Sequence, residues 1–331
     1  MVTPLALSVA CRASDRTRAL FDGSVAIEGC AASVVDLDPE EAFFRAFRHA
    51  EFDVSELSLS STMMAVDRGS CPYVAIPAFV SRAFRHSAIY IRTDRGIRAP
   101  ADLKGRLVGI PEYQVTAAVW VRGILEDEYG VKPSELRWRS GGMEEPGRHE
   151  KLRFTPPAGV EMLPIAPGAT LAAMLKAGEI DALVAPRPPS CFREAAPHVG
   201  RLFPDFRTVE REWFARTGIF PIMHVIGVRR TLVDRHPWLP ASVYKAFLRA
   251  KQACIPKLFD LNALHVSLPW VVAEAEATRA VMGADFWPYG VDTSRKTLDA
   301  VARYSHAQGL TSRVLAAEDL FAATTIETVK V

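Results

Sequence analysis

Residues 100–130 read PADLKGRLVGIPEYQVTAAVWVRGILEDEYG, and they contain one complete unit of strand, loop and helix. After a short capped turn, Arg106–Ile110 predicts a buried strand and Pro111–Val115 a loop. From Thr116 the apolar residues recur at helical spacing, and Gly130 is typical of a helix C-terminus.

The same order of elements returns elsewhere in the chain. A predicted helix that stops at Gly178 is followed by a predicted strand, Ile180–Val184. Earlier, Phe52–Leu59 reads as a strand, and the hydroxyl residues in 58–62 are typical caps for a helix that would start near Met63. Strands and helices that alternate in this way predict an α/β fold around a mainly parallel sheet.

Three further segments complete the expected organisation. Residues 1–10 predict a first strand; because no basic leader precedes this apolar run, we expect a cytoplasmic protein. Residues 144–164 are polar and rich in Pro and Gly, which favours a long loop or hairpin. Residues 239–320 are mostly helical by periodicity, with breaks at three prolines.

Composition excludes several classes of protein. The chain has 331 residues, of which 49% are hydrophobic and 24% charged, so it can bury a large core, and its length favours two lobes. Forty basic and 38 acidic residues leave a net charge of +2, which does not favour nucleic acid as a partner. Five cysteines without C-x-x-C spacing favour a reducing compartment, and no stretch reaches the roughly 18 apolar residues of a membrane span.

Several motifs are similar to those of known proteins. Asp102–Gly109 and Met174–Ala182 resemble elements of the type II periplasmic-binding-protein fold. Longer and more specific motifs resemble the 4,5-dihydroxyphthalate decarboxylase family. These motifs are Phe52–Ser61, Ser81–Tyr90, Gly109–Trp120, Arg216–His224 and Asp285–Gly290.

The resemblance implies an organisation and an activity. It implies two α/β lobes with a ligand cleft between them: a discontinuous first lobe, 1–95 and 215–331, and a second lobe, 96–214. The implied reaction removes one carboxylate from 4,5-dihydroxyphthalate, a small aromatic dicarboxylate, to give 3,4-dihydroxybenzoate and carbon dioxide. Because transport receptors share the fold, a non-enzymatic binding protein or sensor for an aromatic carboxylate is the alternative.

The chemistry of that substrate suggests a mechanism without an organic cofactor. Each carboxylate has a hydroxyl para to it, so the ring carbon that carries the carboxylate can be protonated while the para oxygen donates electron density. The protein must then supply donors for the retained carboxylate, an acid near the ring carbon, a group that polarises the phenol, and a dry pocket.

Three residues are the catalytic candidates. His86 and His224 lie in the family-like motifs, and histidine is the natural acid or base near neutral pH; a structural role is the alternative for each. Glu56 is a carboxylate inside a strand-like pattern, where it could take a phenolic proton or pair with a buried arginine.

Binding candidates carry positive charge, N–H groups, hydroxyls or an aromatic ring. Arg82 and Arg85, expected just before a strand His86–Ile91, are the leading carboxylate clamp, although charge runs usually face solvent. The remaining candidates are Tyr113, Gln114 and Thr116 at a helix start, Ser58, Ser60 and Ser61 in the expected opposite lobe, Arg187 as a third anion contact, and Trp287 as a wall for the ring. Helix capping is the alternative role for the residues at the helix start and for the serines. Solvent exposure is the alternative for Arg187, and core packing is the alternative for Trp287.

Other chemistries have no local support. The candidate ligands His86, His224, Glu56 and Glu112 lack metal-ligand spacing along the chain, so we expect no metal. Serine hydrolase, Walker and dinucleotide-binding motifs are missing from the sequence. The sequence therefore predicts a cytoplasmic, cofactor-independent decarboxylase with no nucleic-acid or membrane partner, and it leaves homo-oligomerisation open.

Overall fold

A computed structural model describes residues 3–327 of the protein as a mixed α/β structure. The strands are β1 Leu5–Cys11, β2 Cys30–Asp36, β3 Val54–Ser58, β4 Tyr73–Arg82, β5 Ile89–Arg92, β6 Leu107–Ile110, β7 Arg137–Ser140, β8 Glu161–Pro164, β9 Ala182–Val184, β10 Val199–Arg201 and β11 Ile222–Arg229. The α-helices are α1 Arg18–Phe21, α2 Pro39–His49, α3 Leu59–Asp67, α4 Thr116–Tyr129, α5 Leu171–Ala177, α6 Ser190–Arg193, α7 Phe206–Thr217, α8 Arg230–Arg235, α9 Leu239–Cys254, α10 Val271–Met282, α11 Arg295–Ala307 and α12 Ala317–Leu320.

The chain divides into two compact units. Among the described residues, the first unit comprises 3–82, 217–298 and 315–327, and the second comprises 83–216 and 299–314. The sequence predicts lobe boundaries after residues 95 and 214, whereas the units divide after residues 82 and 216.

The sheet of the first unit has the strand order β2-β1-β3-β11-β4. Strands β2, β1 and β3 are parallel, whereas β11 is antiparallel to both of its neighbours. Every residue of β3 is buried, as expected for a central strand covered on both faces. The antiparallel register places His224 opposite Ser58 on one side and Ser81 on the other.

The sheet of the second unit has the order β10-β5-β9-β6-β7-β8, with β9, β6, β7 and β8 parallel. Successive side chains of β5 enter two different core clusters, Ile89 and Ile91 one and Tyr90 the other, because strand side chains alternate between faces. The segment that opens at Pro100 folds as predicted: β6 leads through a loop into α4, and Gly130 ends α4 at a left-handed φ of 63°.

Several predicted elements are confirmed, although the bounds of the two strands differ from the predicted ones by a few residues. The first strand is β1, Gly178 ends α5, and β9 follows it. Helices separated by non-helical segments make up most of residues 239–320. Within residues 3–327, no helix has the length and apolar character that crossing a membrane requires.

Some predicted boundaries are wrong. The helix expected near Met63 begins at Leu59, so the hydroxyl residues that follow lie in its first turn rather than before it. The strand expected over His86–Ile91 begins at Ile89, because His86 lies in a short 3-10 turn. The loop expected over 144–164 is interrupted at its end by β8.

We predict that Gly123→Ala destabilises the second unit. A β-carbon at position 123, in the middle of α4, would lie 2.3 Å from the ring of Tyr304. Overpacking of this kind typically costs about 1–3 kcal/mol, which outweighs the roughly 1 kcal/mol that alanine gains over glycine in a helix. Chemical denaturation measures the change; Glu126→Ala in the same helix is the control, and a more stable Gly123→Ala variant would contradict the packing.

Candidate active site

In the first unit, the structure brings together two of the three predicted catalytic residues. Glu56 of β3 and His224 of β11 are 168 residues apart in the chain, yet Nδ1 of His224 lies 2.6 Å from Oε1 of Glu56. The second carboxylate oxygen accepts the backbone N–H of Arg12 at 2.8 Å. The Glu56 side chain is 3% exposed, and its side-chain partner is His224 rather than a buried arginine.

The pair leaves one imidazole nitrogen available for chemistry. The His224 side chain is 20% exposed, and among residues 3–327 no group hydrogen-bonds its Nε2. A carboxylate at Nδ1 favours the tautomer with the proton on Nδ1 and fixes the orientation of the ring. The ring of Phe43 on α2 packs edge-to-face against the imidazole at 4.8 Å, which limits its rotation. Proton transfer at Nε2 is therefore the chemistry that this arrangement supports.

The three predicted serines lie at the end of β3 and at the start of α3, which follows it. Ser58 is opposite His224 in the sheet register, and its Oγ accepts a hydrogen bond from Ser61 Oγ at 3.3 Å. Ser60 and Ser61 are buried in the first turn of α3, which packs against β11. The structure thus places Ser58 beside His224 and Ser61 beside Ser58, and the contact of the three serines with a ligand stays a prediction.

Arg82 uses its guanidinium inside the first unit. Nη1 donates to the carbonyl of Phe220 at 2.8 Å, and Nη2 donates to the carbonyl of Pro288 and to Ser294 Oγ, both at 2.7 Å. The residue is 5% exposed, and desolvation lowers its pKa to about 9. These bonds hold the segment that precedes β11, so Arg82 supports the strand that carries His224.

Trp287 is also held within the first unit. Its indole N–H donates to the carbonyl of Phe79 at 2.9 Å, and the guanidinium of Arg16 lies 4.0 Å from the ring. The ring of Phe220 contacts it edge-to-face at 5.3 Å. These contacts fit the alternative role of Trp287 in core packing. Contact between Trp287 and the ring of a substrate stays a prediction.

His86 lies in the second unit, surrounded by aromatic rings. Its imidazole is 1% exposed, makes no hydrogen bond within residues 3–327, and contacts Phe203 at 5.3 Å and Trp213 at 5.5 Å. Desolvation lowers its pKa to about 4, while the charge of Glu128 raises it only in part. The imidazole is therefore neutral near pH 7. The role of His86 as an acid stays a prediction, and the neutral state does not support it.

The other two predicted arginines differ in exposure. Arg85 donates from Nη1 to the carbonyl of Pro186 at 3.3 Å, and desolvation lowers its pKa to about 10 despite the opposing charge of Glu210. Arg187 is exposed and follows β9 by three residues. Their contact with an anion stays a prediction.

Two residues that the sequence did not single out, Glu150 and Phe154, contact the loop before α4. The backbone N–H groups of Tyr113 and Gln114 donate to the carboxylate of Glu150. The ring of Phe154 stacks on that of Tyr113 at 4.9 Å. Thr116 is buried at the first position of α4. Glu150 and Phe154 lie in a stretch without periodicity, so no pattern in the sequence indicates these contacts.

Metal-binding side chains do not cluster in the part of the chain that the structure describes. Among residues 3–327, no group of three His, Cys, Asp or Glu side chains is placed to hold a metal ion. The two glutamates considered as metal ligands have different partners: Glu112 contacts Arg148 and Lys151, whereas Glu56 contacts His224.

Comparison with known proteins identifies two close relatives. Over 330 residues the chain is 46% identical to the 4,5-dihydroxyphthalate decarboxylase of Comamonas testosteroni, with 100% of both chains covered. It is 48% identical over 214 residues to the 4,5-dihydroxyphthalate decarboxylase of Pseudomonas putida, a match that covers 65% of this chain and 83% of the relative. No protein-family model matches the chain.

Solved structures confirm the predicted fold. The periplasmic aliphatic sulphonate binding protein SsuA of Escherichia coli matches with a TM-score of 0.53 at 11% identity, covering 98% of this chain and 100% of SsuA. The alkanesulfonate-binding protein SsuA of Xanthomonas axonopodis pv. citri bound to MOPS matches with a TM-score of 0.51 at 14% identity, covering 98% and 99%. The chain thus has the two-lobed type II periplasmic-binding-protein-like fold; identities this low carry no information on ligands.

We predict that Arg82→Met lowers the free energy of unfolding by about 2–4 kcal/mol, because it leaves buried acceptors without their charged donor. Arg249→Met is the control, since Arg249 makes an exposed ion pair with Glu28 that is worth less than about 1 kcal/mol. Denaturant titration of both variants gives the comparison. An Arg82→Met variant as stable as the wild type would show that the guanidinium is not needed by the fold.

We predict that burial of neutral His86 makes the fold less stable in mild acid. The unfolded chain binds a proton near the ordinary pKa of 6.5, while the folded chain does so only near 4. Stability is therefore complete above 6.5 and falls as the pH drops toward 4, by about 2–3 kcal/mol from this group. Unfolding measured across that range should show a smaller loss for His86→Phe than for the wild type and for His49→Phe, an exposed control. Equal losses in all three would contradict the assignment.

Proposed function

We propose the function of this chain from one premise: the chain belongs to the 4,5-dihydroxyphthalate decarboxylase family. It is a decarboxylase, and we propose that its substrate is 4,5-dihydroxyphthalate and its products are 3,4-dihydroxybenzoate and carbon dioxide. The observation that carries this proposal is 46% identity over the whole of both chains with the Comamonas testosteroni enzyme.

In the proposed mechanism a proton replaces a carboxylate on the ring. The hydroxyl para to the departing carboxylate loses its proton, and its electrons move into the ring as the carbon that bears the carboxylate accepts a proton. The carbon–carbon bond to the carboxylate then breaks, its electron pair restores aromaticity, the para oxygen regains a proton, and carbon dioxide leaves. One proton is consumed for each carbon dioxide released.

We assign the proton donor to Nε2 of His224. Glu56 orients the imidazole through Nδ1, which supports proton donation from Nε2 at a fixed position. After the transfer, the neutral ring keeps its Nδ1 proton on Glu56 and takes a new proton from solvent at Nε2. Glu56 in this assignment orients the histidine instead of taking the phenolic proton itself.

Substrate binding would use groups outside this pair. Ser58 and Ser61, close to His224, offer hydroxyls to a carboxylate or phenol. The roles predicted for Arg85, Tyr113, Gln114, Thr116, Arg187 and Trp287, the ligand cleft, and the cytoplasmic location remain predictions. Cell fractionation with a marker for each compartment tests the last of these.

We predict that His224→Gln lowers kcat by about 10²–10⁴-fold, the usual contribution of a positioned acid or base. Glu56→Gln should lower kcat as well, because an amide group can present its N–H instead of an oxygen to Nδ1 and so no longer fixes the orientation of the imidazole. Purified protein is incubated with 4,5-dihydroxyphthalate while carbon dioxide and 3,4-dihydroxybenzoate are measured, and His49→Gln is the control at an exposed histidine.

The outcomes separate the alternatives. Saturable binding without turnover by the wild type would favour a receptor or sensor over an enzyme for this substrate. Full activity in His224→Gln would remove His224 from the mechanism. Activity that a chelator abolishes and a divalent cation restores would contradict the expected independence from metal.

A further inference from the structure

We call residues 148–154 the strap. We infer that the strap occupies a subsite for the substrate: the carboxylate of Glu150 lies where a substrate carboxylate would bind, and the ring of Phe154 lies where the substrate ring would bind. The strap must then leave this subsite before substrate binds there. The inference rests on the proposed function, since it takes an aromatic carboxylate as the ligand.

The carboxylate of Glu150 is held as a ligand carboxylate would be. Its Oε1 accepts the backbone N–H of Tyr113 at 2.5 Å, and its Oε2 accepts the backbone N–H of Gln114 at 3.3 Å and the side-chain amide of Gln114 at 2.7 Å. Three N–H donors converge on two oxygens, which is a geometry that binds carboxylates in general.

The aromatic part of the subsite is a rigid platform. The ring of Tyr113 is fully buried, and the guanidinium of Arg122 lies 3.6 Å from its centroid. Arg122 is itself fixed by hydrogen bonds to the carbonyl of Tyr113 and to Gln308. Phe154 stacks on Tyr113 with an angle of only 12° between the two rings. The strap thus presents a carboxylate to the backbone of Tyr113 and an aromatic ring to its side chain, the two kinds of group that an aromatic acid carries.

The strap is attached through polar contacts, and those of the Glu150 carboxylate are the ones that a ligand carboxylate can replace. Glu112 accepts from Nε of Arg148 at 2.7 Å and from Nζ of Lys151 at 2.9 Å. The side-chain amide of Gln114 pairs with the backbone N–H and carbonyl of Leu152. The strap contains neither helix nor strand, so its release breaks no secondary structure.

Glu150 is bound at an energetic cost. Burial raises the pKa of its carboxyl group, and the charge of the Glu112 carboxylate raises it further, whereas the hydrogen bonds from Tyr113 and Gln114 lower it. A carboxylate bound in this balance is easier to displace than one paired with a buried cation. Tyr113 and Gln114 were predicted from the sequence to bind a substrate carboxylate, and their donors already hold Glu150. Substrate can use them only when Glu150 leaves.

The first test compares Glu150→Gln with Glu145→Gln, which changes an exposed carboxylate in the same loop. The probe is phthalate, which has the carboxylates and the ring but lacks the hydroxyls needed for reaction. We expect Glu150→Gln to bind phthalate about threefold to tenfold more tightly than the wild type, because an internal competitor is weakened, while Glu145→Gln is unchanged. Equal or weaker binding by Glu150→Gln overturns the inference.

The second test uses the wild type and does not depend on a variant that folds correctly. The backbone N–H groups of Lys151 and Leu152 are hydrogen-bonded to Glu112 and Gln114. We expect saturating phthalate to speed hydrogen exchange in the peptide that contains them, because the strap is released. Unchanged or slower exchange overturns the inference, and so does failure of phthalate to bind, since a carboxylate and a ring are all that the subsite is inferred to recognise.

These results separate the inference from the proposed function. Strap release by phthalate without turnover of 4,5-dihydroxyphthalate would leave the strap inference standing and remove the proposed substrate. Turnover of 4,5-dihydroxyphthalate, with no effect of phthalate on the strap and no tighter binding by Glu150→Gln, would support the proposed function and overturn the strap inference.

Discussion

The first unit depends on the insertion of β11 between β3 and β4. The chain leaves this sheet after Arg82 and returns at Ile222, so the central pairing of the sheet joins segments that are far apart in sequence. The antiparallel register of β11 on β3 places His224 near Glu56, and the bonds of Arg82 hold the approach to β11. Two side chains placed by neighbouring strands of one sheet are held more precisely than side chains on loops, which suits the proton transfer proposed for His224.

Local patterns in the sequence account for much of the fold. The unit of β6, loop and α4 was predictable because a buried strand, a helical period and a glycine stop follow one another without interruption. The start of α3 was not, because serine and threonine usually precede helices, whereas here residues 60–62 are fully buried in the helix and tertiary packing outweighs their preference for caps.

The candidate site was predictable as a set of residue types but not as an arrangement. Family-like motifs indicated Glu56 and His224 separately, and only the sheet register shows that they form a pair. The sequence also suggested Arg82 as an anion clamp, since it cannot show where a side chain points; three acceptors inside the first unit take its guanidinium instead. Glu150 and Phe154 had no signal at all, because a loop without periodicity places its side chains through contacts distant in sequence.

The hydrogen bond from the Arg12 backbone to Glu56 has a consequence for biosynthesis. The carboxylate that orients the imidazole is itself positioned by the end of the first strand, while the imidazole arrives on a strand made more than 200 residues later. A nascent chain on the ribosome therefore carries Glu56 and its Arg12 contact long before His224 exists. Premature termination anywhere between the two would yield a fragment that lacks the Glu56–His224 pair, however well the early portion folded.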